Sequence, residues 1–211
     1  MLTLIKYLTP ILISTALSFS SQAEEVAITI DWKTLNKEGQ KLVENQPILT
    51  EETKVILKYY FSLLKENGTL DERTNYYFND LFIRENIDIE GINRLRDDYN
   101  KSMTTLTRDF DNQNVIIAGF PVPIDFDKNM RATRLLLVPV AGACIHVPPP
   151  PANQIIDISF PNGVIVESIY DPVWVEGRIK SNFTKSEVYL VDGVSDISIG
   201  YEMSGKQFKK Y

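Results

Sequence analysis

Val115–Ile124, which reads VIIAGFPVPI, is the first of several short runs rich in valine and isoleucine. Glycine, proline, asparagine and aspartate separate it from the runs that follow, which are Thr133–Val140, Gln154–Phe160, Val173–Ile179 and two pieces near Val188 and Ile199. Such runs with turn residues between them are typical of β-strands. Because few helical patterns interrupt the series, it predicts an antiparallel sheet or small closed barrel rather than a parallel α/β sheet.

The part of the chain before these runs has helical spacing instead. Thr50 fits the N-cap of a helix that ends at Asn67-Gly68, and two more helices are expected over about 72–83 and 90–107. Each carries the apolar stripe that a core-facing helix needs. The predicted fold class is therefore α+β and mostly β, a small barrel with a helical N-terminal cap. The predicted divisions are 24–112 for the N-terminal extension and cap, 113–205 for the barrel and 206–211 for a tail.

The first 23 residues have the parts of an export signal. Lys6 precedes an apolar centre, and Ser21-Gln22-Ala23 supplies a small-residue cleavage site. We therefore expect a cleaved signal peptide over 1–23 rather than a membrane anchor, because Pro10 and the Ser/Thr-rich end interrupt the apolar run. No later segment is long and apolar enough to span a bilayer, so we also expect a periplasmic location and no transmembrane segment in the mature chain. The net charge of −6 argues against nucleic acid as a partner.

Cys144 and His146 are the single cysteine and the single histidine of the chain. Residues i and i+2 of a strand point to one face, so an extended segment would place thiol and imidazole side by side. Zinc takes both groups as ligands, and Cu(I) is the alternative. Because no other Cys or His exists, further ligands must come from water, from a second copy in a homodimer, or from carboxylates, for which the candidates are Asp125, Asp127 and Asp157.

Two other interpretations of this pair stay open. His146 would lower the pKa of Cys144 in a thiol-dependent enzyme, or both residues would be structural, since a free cysteine is among the most buried residue types. The segment that follows is stiff, because four prolines favour an extended polyproline form. It predicts a preorganised binding surface made of Pro148, Pro149, Pro150, Pro151, Asn153 and Gln154.

Gly142–Gln154, which reads GACIHVPPPPANQ, resembles the signature of secreted bacterial proteins of the domain-of-unknown-function 3299 family. Supporting pieces are Gly119–Phe126, Leu135–Pro139 and Pro172–Gly177, and Asp31–Leu35 resembles the opening of the family. The helical insert between them departs from its shorter members.

The resemblance implies a five-stranded OB-like barrel. It also implies genes beside an ABC-type permease, an ATPase and a secreted metal-binding protein in zinc-responsive clusters. The expected function is a periplasmic, non-enzymatic binding or accessory protein linked to zinc handling or a transporter complex, with Cys144–Gln154 as its functional surface. The alternatives are a thiol-dependent enzyme and a structural envelope protein.

Overall fold

Five strands close into a barrel, with a short sixth strand beside it. The computed structural model describes residues 26–44, 46, 49–144, 149–190 and 193–211, so the predicted signal peptide, His146 and Pro148 lie outside the described residues. The strands are β1 (Ile28–Thr29), β2 (Asn114–Phe126), β3 (Ala132–Val138), β4 (Ile156–Val164), β5 (Val173–Leu190) and β6 (Gly193–Lys210).

Strand β2 closes the barrel because two strands share it. Its residues 114–119 pair with β5, and its residues 120–126 pair with β3. The order around the barrel is β2-β3-β4-β6-β5 and back to β2. This confirms the predicted five-stranded barrel with a helical N-terminal cap. One detail differs from the antiparallel prediction: β4 and β6 run parallel, because a closed ring of five strands cannot alternate direction at every step when its other four pairings are antiparallel.

Successive side chains of a strand point to opposite faces of the sheet, and those that point inward fill the barrel interior with apolar groups. In β3 and β4, for example, Leu135, Leu137, Ile156 and Ile158 are fully buried in the main core. A second cluster packs against the other side of this part of the sheet. Its members are Val122, Leu136, Val138, Ala143, Cys144, Ile155, Ile197 and Ile199.

In the described part of the chain, five helices precede the barrel: α1 (Trp32–Leu35), α2 (Lys37–Val43), α3 (Glu51–Asn67), α4 (Glu72–Arg84) and α5 (Ile89–Ser102). The last three begin as the sequence predicts, and Thr50 Oγ1 accepts a hydrogen bond from Thr53 N at 3.1 Å. Helix α5 ends at Ser102, short of the predicted Thr107. The chain turns there toward the barrel, where the Thr107 amide donates to Tyr201 Oη. None of the described helices has the length and hydropathy to cross a membrane.

Helices α3, α4 and α5 form a helical lobe with a core of its own. Leu57, Phe78, Phe82 and Ile92 are its buried centre, and the rings of Phe78 and Phe82 lie 5.8 Å apart. Helix α5 also packs against α2. At that crossing a Cβ on Gly39 would lie 2.2 Å from Ser102 O, so only glycine permits the approach.

Buried polar groups fix the first helices to the barrel. Tyr201 of β6 is 1% exposed, and its hydroxyl donates to Leu35 O and accepts from Thr107 N, both at 3.0 Å. Trp32 Nε1 donates to Ala118 O at 2.7 Å. Strand β6 then continues to Lys210, so most of the segment interpreted as a tail is paired with β5.

We expect Tyr201→Phe to lower the free energy of unfolding by about 1–3 kcal/mol, because it leaves the buried Leu35 carbonyl and Thr107 amide without their shared partner. Urea denaturation measures this loss. Tyr76→Phe is the control, because Tyr76 is exposed. Equal stability of the Tyr201 and Tyr76 variants would contradict this role.

Alkaline pH should give the same residue a second signature. Burial raises the pKa of Tyr201 from 10.0 to about 12, so the folded state keeps a proton that the unfolded state loses. The contribution of this hydroxyl to the free energy of unfolding is therefore fully present below pH 10. It is lost as the pH rises toward 12. Denaturation across this range should show a shallower fall for Tyr201→Phe than for the wild type.

Candidate functional site

Cys144 lies in the apolar cluster at one side of the barrel. It is 2% exposed among side chains that include Val122, Leu136 and Ile199. Burial raises the pKa of its thiol from 9.0 to about 11, because the apolar surroundings disfavour the thiolate. The thiolate is both the nucleophile and the metal ligand, so this environment works against both predicted chemistries.

The backbone at Cys144 also differs from the strand that the sequence predicts. Its φ angle is +66°, and residues 141–144 form a turn in which Ala143 N donates to Val140 O. A left-handed residue is not extended, so the argument that residues i and i+2 share one face does not hold from Cys144. The position of His146 relative to the thiol lies outside the described residues.

The three candidate aspartates have partners of their own. Asp157 binds Arg134 through two parallel bonds, Nε to Oδ1 at 3.0 Å and Nη2 to Oδ2 at 2.7 Å. Asp125 lies on the other side of the same guanidinium, at 3.7 Å. Asp127 instead closes the turn between β2 and β3 by accepting from the amides of Asn129 and Arg131.

The fit of these residues to a metal ion is therefore poor in the part of the chain that the structure describes. Within it, no group of three or more His, Cys, Asp or Glu side chains is placed to share one ion. Two of the predicted carboxylates do come together, but around an arginine. Its bonds to Asp157 hold the pKa of Arg134 above its usual range.

Arg134 marks a polar groove on the outside of the barrel that sequence reasoning missed. The groove has a volume of about 470 Å³ and crosses β3, β4, β6 and β5. It is lined by Asp157, Ser159, Lys180, Glu202 and Ser204. The available signal was an arginine at an outward position of a strand. The sequence does not show which acidic residues lie beside it, because the neighbouring strands are brought together by the parallel pairing of β4 with β6.

Asn153 is the best-connected residue of the predicted proline-rich surface. It is 0% exposed, and its Nδ2 lies 2.7 Å from Asn36 Oδ1, 2.6 Å from Ser102 O and 3.2 Å from Thr105 O. Its main-chain amide donates to Met103 O. The sequence predicts Asn153 on a binding surface. In the structure it is an anchor that fixes the end of α5 and the start of α2 to the barrel.

The neighbouring residues of that surface are more open. Pro149 is exposed, whereas Pro150, Pro151 and Gln154 are half-buried. Pro151, Asn153 and Gln154 border a cleft of about 190 Å³ against α2 and α5. Pro151 thus lies at the junction between barrel and helices, where a stiff backbone helps to hold the two together.

Two larger grooves lie on the helical lobe. The first, which we call the tyrosine groove, measures about 720 Å³ and is lined by residues that include Tyr59, Leu63, Leu70 and Tyr77 of α3, α4 and their connection. The second, the acidic groove, measures about 590 Å³. It lies between the start of α3, the α4–α5 connection and α5, and its lining includes Leu49, Glu85, Ile87, Ile92, Leu95 and Asp98.

We expect Asn153→Ala to lower the free energy of unfolding by about 1–3 kcal/mol, because it leaves the buried carbonyl of residue 102 and the part-buried carbonyl of residue 105 without this donor. Asn153→Asp should cost more, because carboxylate oxygens would face those carbonyls. Thermal and urea denaturation check both. Gln154→Ala is the neighbouring control, and similar losses in the Ala variants at 153 and 154 would contradict the anchor.

We expect Cys144 to react slowly with thiol reagents in the folded protein at neutral pH. A pKa of about 11 in place of 9.0 lowers the thiolate fraction by about 100-fold, and burial lowers access further. The measurement is labelling with a chromogenic disulfide reagent, with the protein unfolded in guanidinium chloride as the control. Labelling as fast as that of a small free thiol would show the apolar burial to be wrong.

Comparisons with known proteins identify the family. A family model described as Protein of unknown function (DUF3299) matches residues 32–210, a range that includes the lobe as well as the barrel. Among solved structures, a crystal structure of a DUF3299 family protein from Pseudomonas aeruginosa PAO1 is similar, with 22% identity and a TM-score of 0.50 over 88% of this chain and 97% of that chain. At that identity the likeness shows the fold alone. No curated protein sequence matches. Because the family model covers most of its length, the chain belongs to the DUF3299 family.

Proposed function

We propose that this chain is an exported, non-enzymatic accessory protein that binds a partner protein through its helical lobe. The observation that carries the proposal is a set of exposed aromatic and aliphatic side chains on α3 and α4. Tyr76 and Ile83 are 76% and 80% exposed, and they lie two turns apart on α4. Val55 and Tyr59, one turn apart on α3, are also exposed.

These side chains are not needed for the core of the lobe. The buried centre around Phe78 is already complete, and the exposed rings of Tyr59 and Tyr77 contact Phe78 from outside, with centroids 6.0 Å and 5.5 Å away. Tyrosine is enriched at protein interfaces because it combines a large apolar area with a hydroxyl group. Tyr59 and Tyr77 both line the tyrosine groove, and two exposed tyrosines at one groove favour an interaction surface over scattered exposure.

The surroundings of Cys144, the nucleophile in the alternative thiol-enzyme interpretation, support a non-enzymatic role. The Cys144 thiol is buried and its pKa is raised, and the carboxylates nearest the barrel groove bind Arg134. A general base or nucleophile works best with a pKa near the operating pH and with access to substrate. Neither condition holds for this thiol.

The resemblance noted above names the partners to test first, an ABC-type permease and a secreted metal-binding protein. Both are proteins, the class of partner that an exposed aromatic surface favours. Export of the chain, zinc handling and the transporter link stay predictions. The proposal that the lobe binds a protein does not depend on them.

Photo-crosslinking in cells tests the proposal. A benzophenone amino acid replaces Tyr76 in the full chain, and the control replaces Met130, which is equally exposed, at 75%, on the barrel turn between β2 and β3. We expect a discrete crosslinked product at 76 but not at 130, because only the lobe faces the partner. The product is identified by mass spectrometry.

Binding to the identified partner is then measured directly. Tyr59→Ser combined with Tyr76→Ala should weaken binding by about tenfold or more, because central aromatic residues carry much of the interface energy. Circular dichroism controls for the fold. Equal crosslinking at both positions, or unchanged affinity in the double variant, would refute the proposed surface.

A further inference from the structure

A second surface of the lobe differs from the tyrosine groove in its chemistry. We infer that the acidic groove docks a basic amphipathic helix of a partner protein. The groove opens at the start of α5, away from the residues that line the tyrosine groove. The inference goes beyond the proposed function and stands on different residues.

The floor of the acidic groove is apolar. Leu49, Ile87 and Leu95 are half-buried at the edge of the lobe core, next to the buried Ile92. A volume of about 590 Å³ lies within the range of about 300–1,000 Å³ that is usual for binding clefts. Apolar side chains inserted here would cover the exposed parts of the floor and extend the core.

The rim of the groove is negatively charged. Glu85, Asp88 and Asp98 line it together with one cation, Arg94. Arg94 lies 3.5 Å from Asp88 and 4.0 Å from Glu90, so its charge is already shared between two carboxylates. The lining residues thus carry a net charge of about −2.

Apolar floor and acidic rim together select the occupant. A helix with apolar residues at positions i, i+3, i+4 and i+7 places one face on such a floor. Lysine or arginine beside that face would then meet Glu85 and Asp98. An acidic helix would be repelled by the rim, and an uncharged one would offer no cation to Glu85 and Asp98.

The experiment uses the full chain and two synthetic helical peptides, one of leucine and lysine and one with glutamate in place of lysine. The test variant is Glu85→Lys with Asp98→Lys. The control, Glu66→Lys with Glu187→Lys, changes the net charge equally at exposed positions outside the groove. Affinity is measured by fluorescence anisotropy at low and high salt, and circular dichroism verifies the fold of each variant.

We expect the lysine peptide to bind and the glutamate peptide not to bind. The test variant should weaken binding at least about tenfold, and the control should change it less than about twofold. Ile87→Ser should also weaken binding, including at high salt, because it removes part of the apolar floor. Hydrogen exchange should show protection at residues of the α4–α5 connection and α5.

Several outcomes overturn the inference. These are equal loss in test and control variants, binding of both peptides, and protection at the tyrosine groove or the barrel. Dimerisation by light scattering that only the test variant abolishes would assign the groove to a second copy instead. None of these outcomes bears on crosslinking from Tyr76, so the inference and the proposed function can fail separately.

Discussion

The structure depends on a few buried polar contacts between the helices and the barrel. The side-chain nitrogen of Asn153 shares its two hydrogens among acceptors on Asn36 just before α2, Ser102 at the end of α5 and Thr105 just after it. The hydroxyl of Tyr201 donates to Leu35 and accepts from Thr107. In an apolar junction such bonds are strong, and leaving one partner alone is costly. They set one orientation of the helices, which apolar packing alone would specify less sharply.

These contacts give the proline-rich segment a structural role, whereas its sequence suggests a binding surface. The described prolines come just before the short turn that contains Asn153. Their stiff backbone therefore helps to position the Asn153 side chain for its hydrogen bonds. Cys144 contributes to the same region as a packed apolar group. Among the residues that the structure describes, the exposed polar and aromatic groups discussed above lie elsewhere, on the two lobe grooves and the outside of the barrel.

Much of the fold could be predicted because it is encoded locally. Thr50, Asp71 and Asp88 cap the starts of α3, α4 and α5, and the apolar runs match the barrel strands. The parallel pairing of β4 with β6 could not be predicted, since it depends on contacts between distant segments. The left-handed backbone of Cys144 could not be predicted for another reason. Its apolar neighbours in the sequence are typical of a strand, whereas the folded chain makes a turn there. Arg134 was missed because its acidic partners are assembled only by strand pairing.

The bond between Tyr201 and Leu35 joins residues 166 positions apart. A ribosome makes the chain from its first residue, so α1 can bond Ala118 through Trp32 once β2 is made, whereas its bond to Tyr201 forms only after nearly the whole polypeptide is made. The lobe needs only nearby contacts and can mature early, whereas barrel closure must come late. A nascent chain halted before β6 would expose the apolar strands that β6 normally covers, and would therefore need chaperone protection.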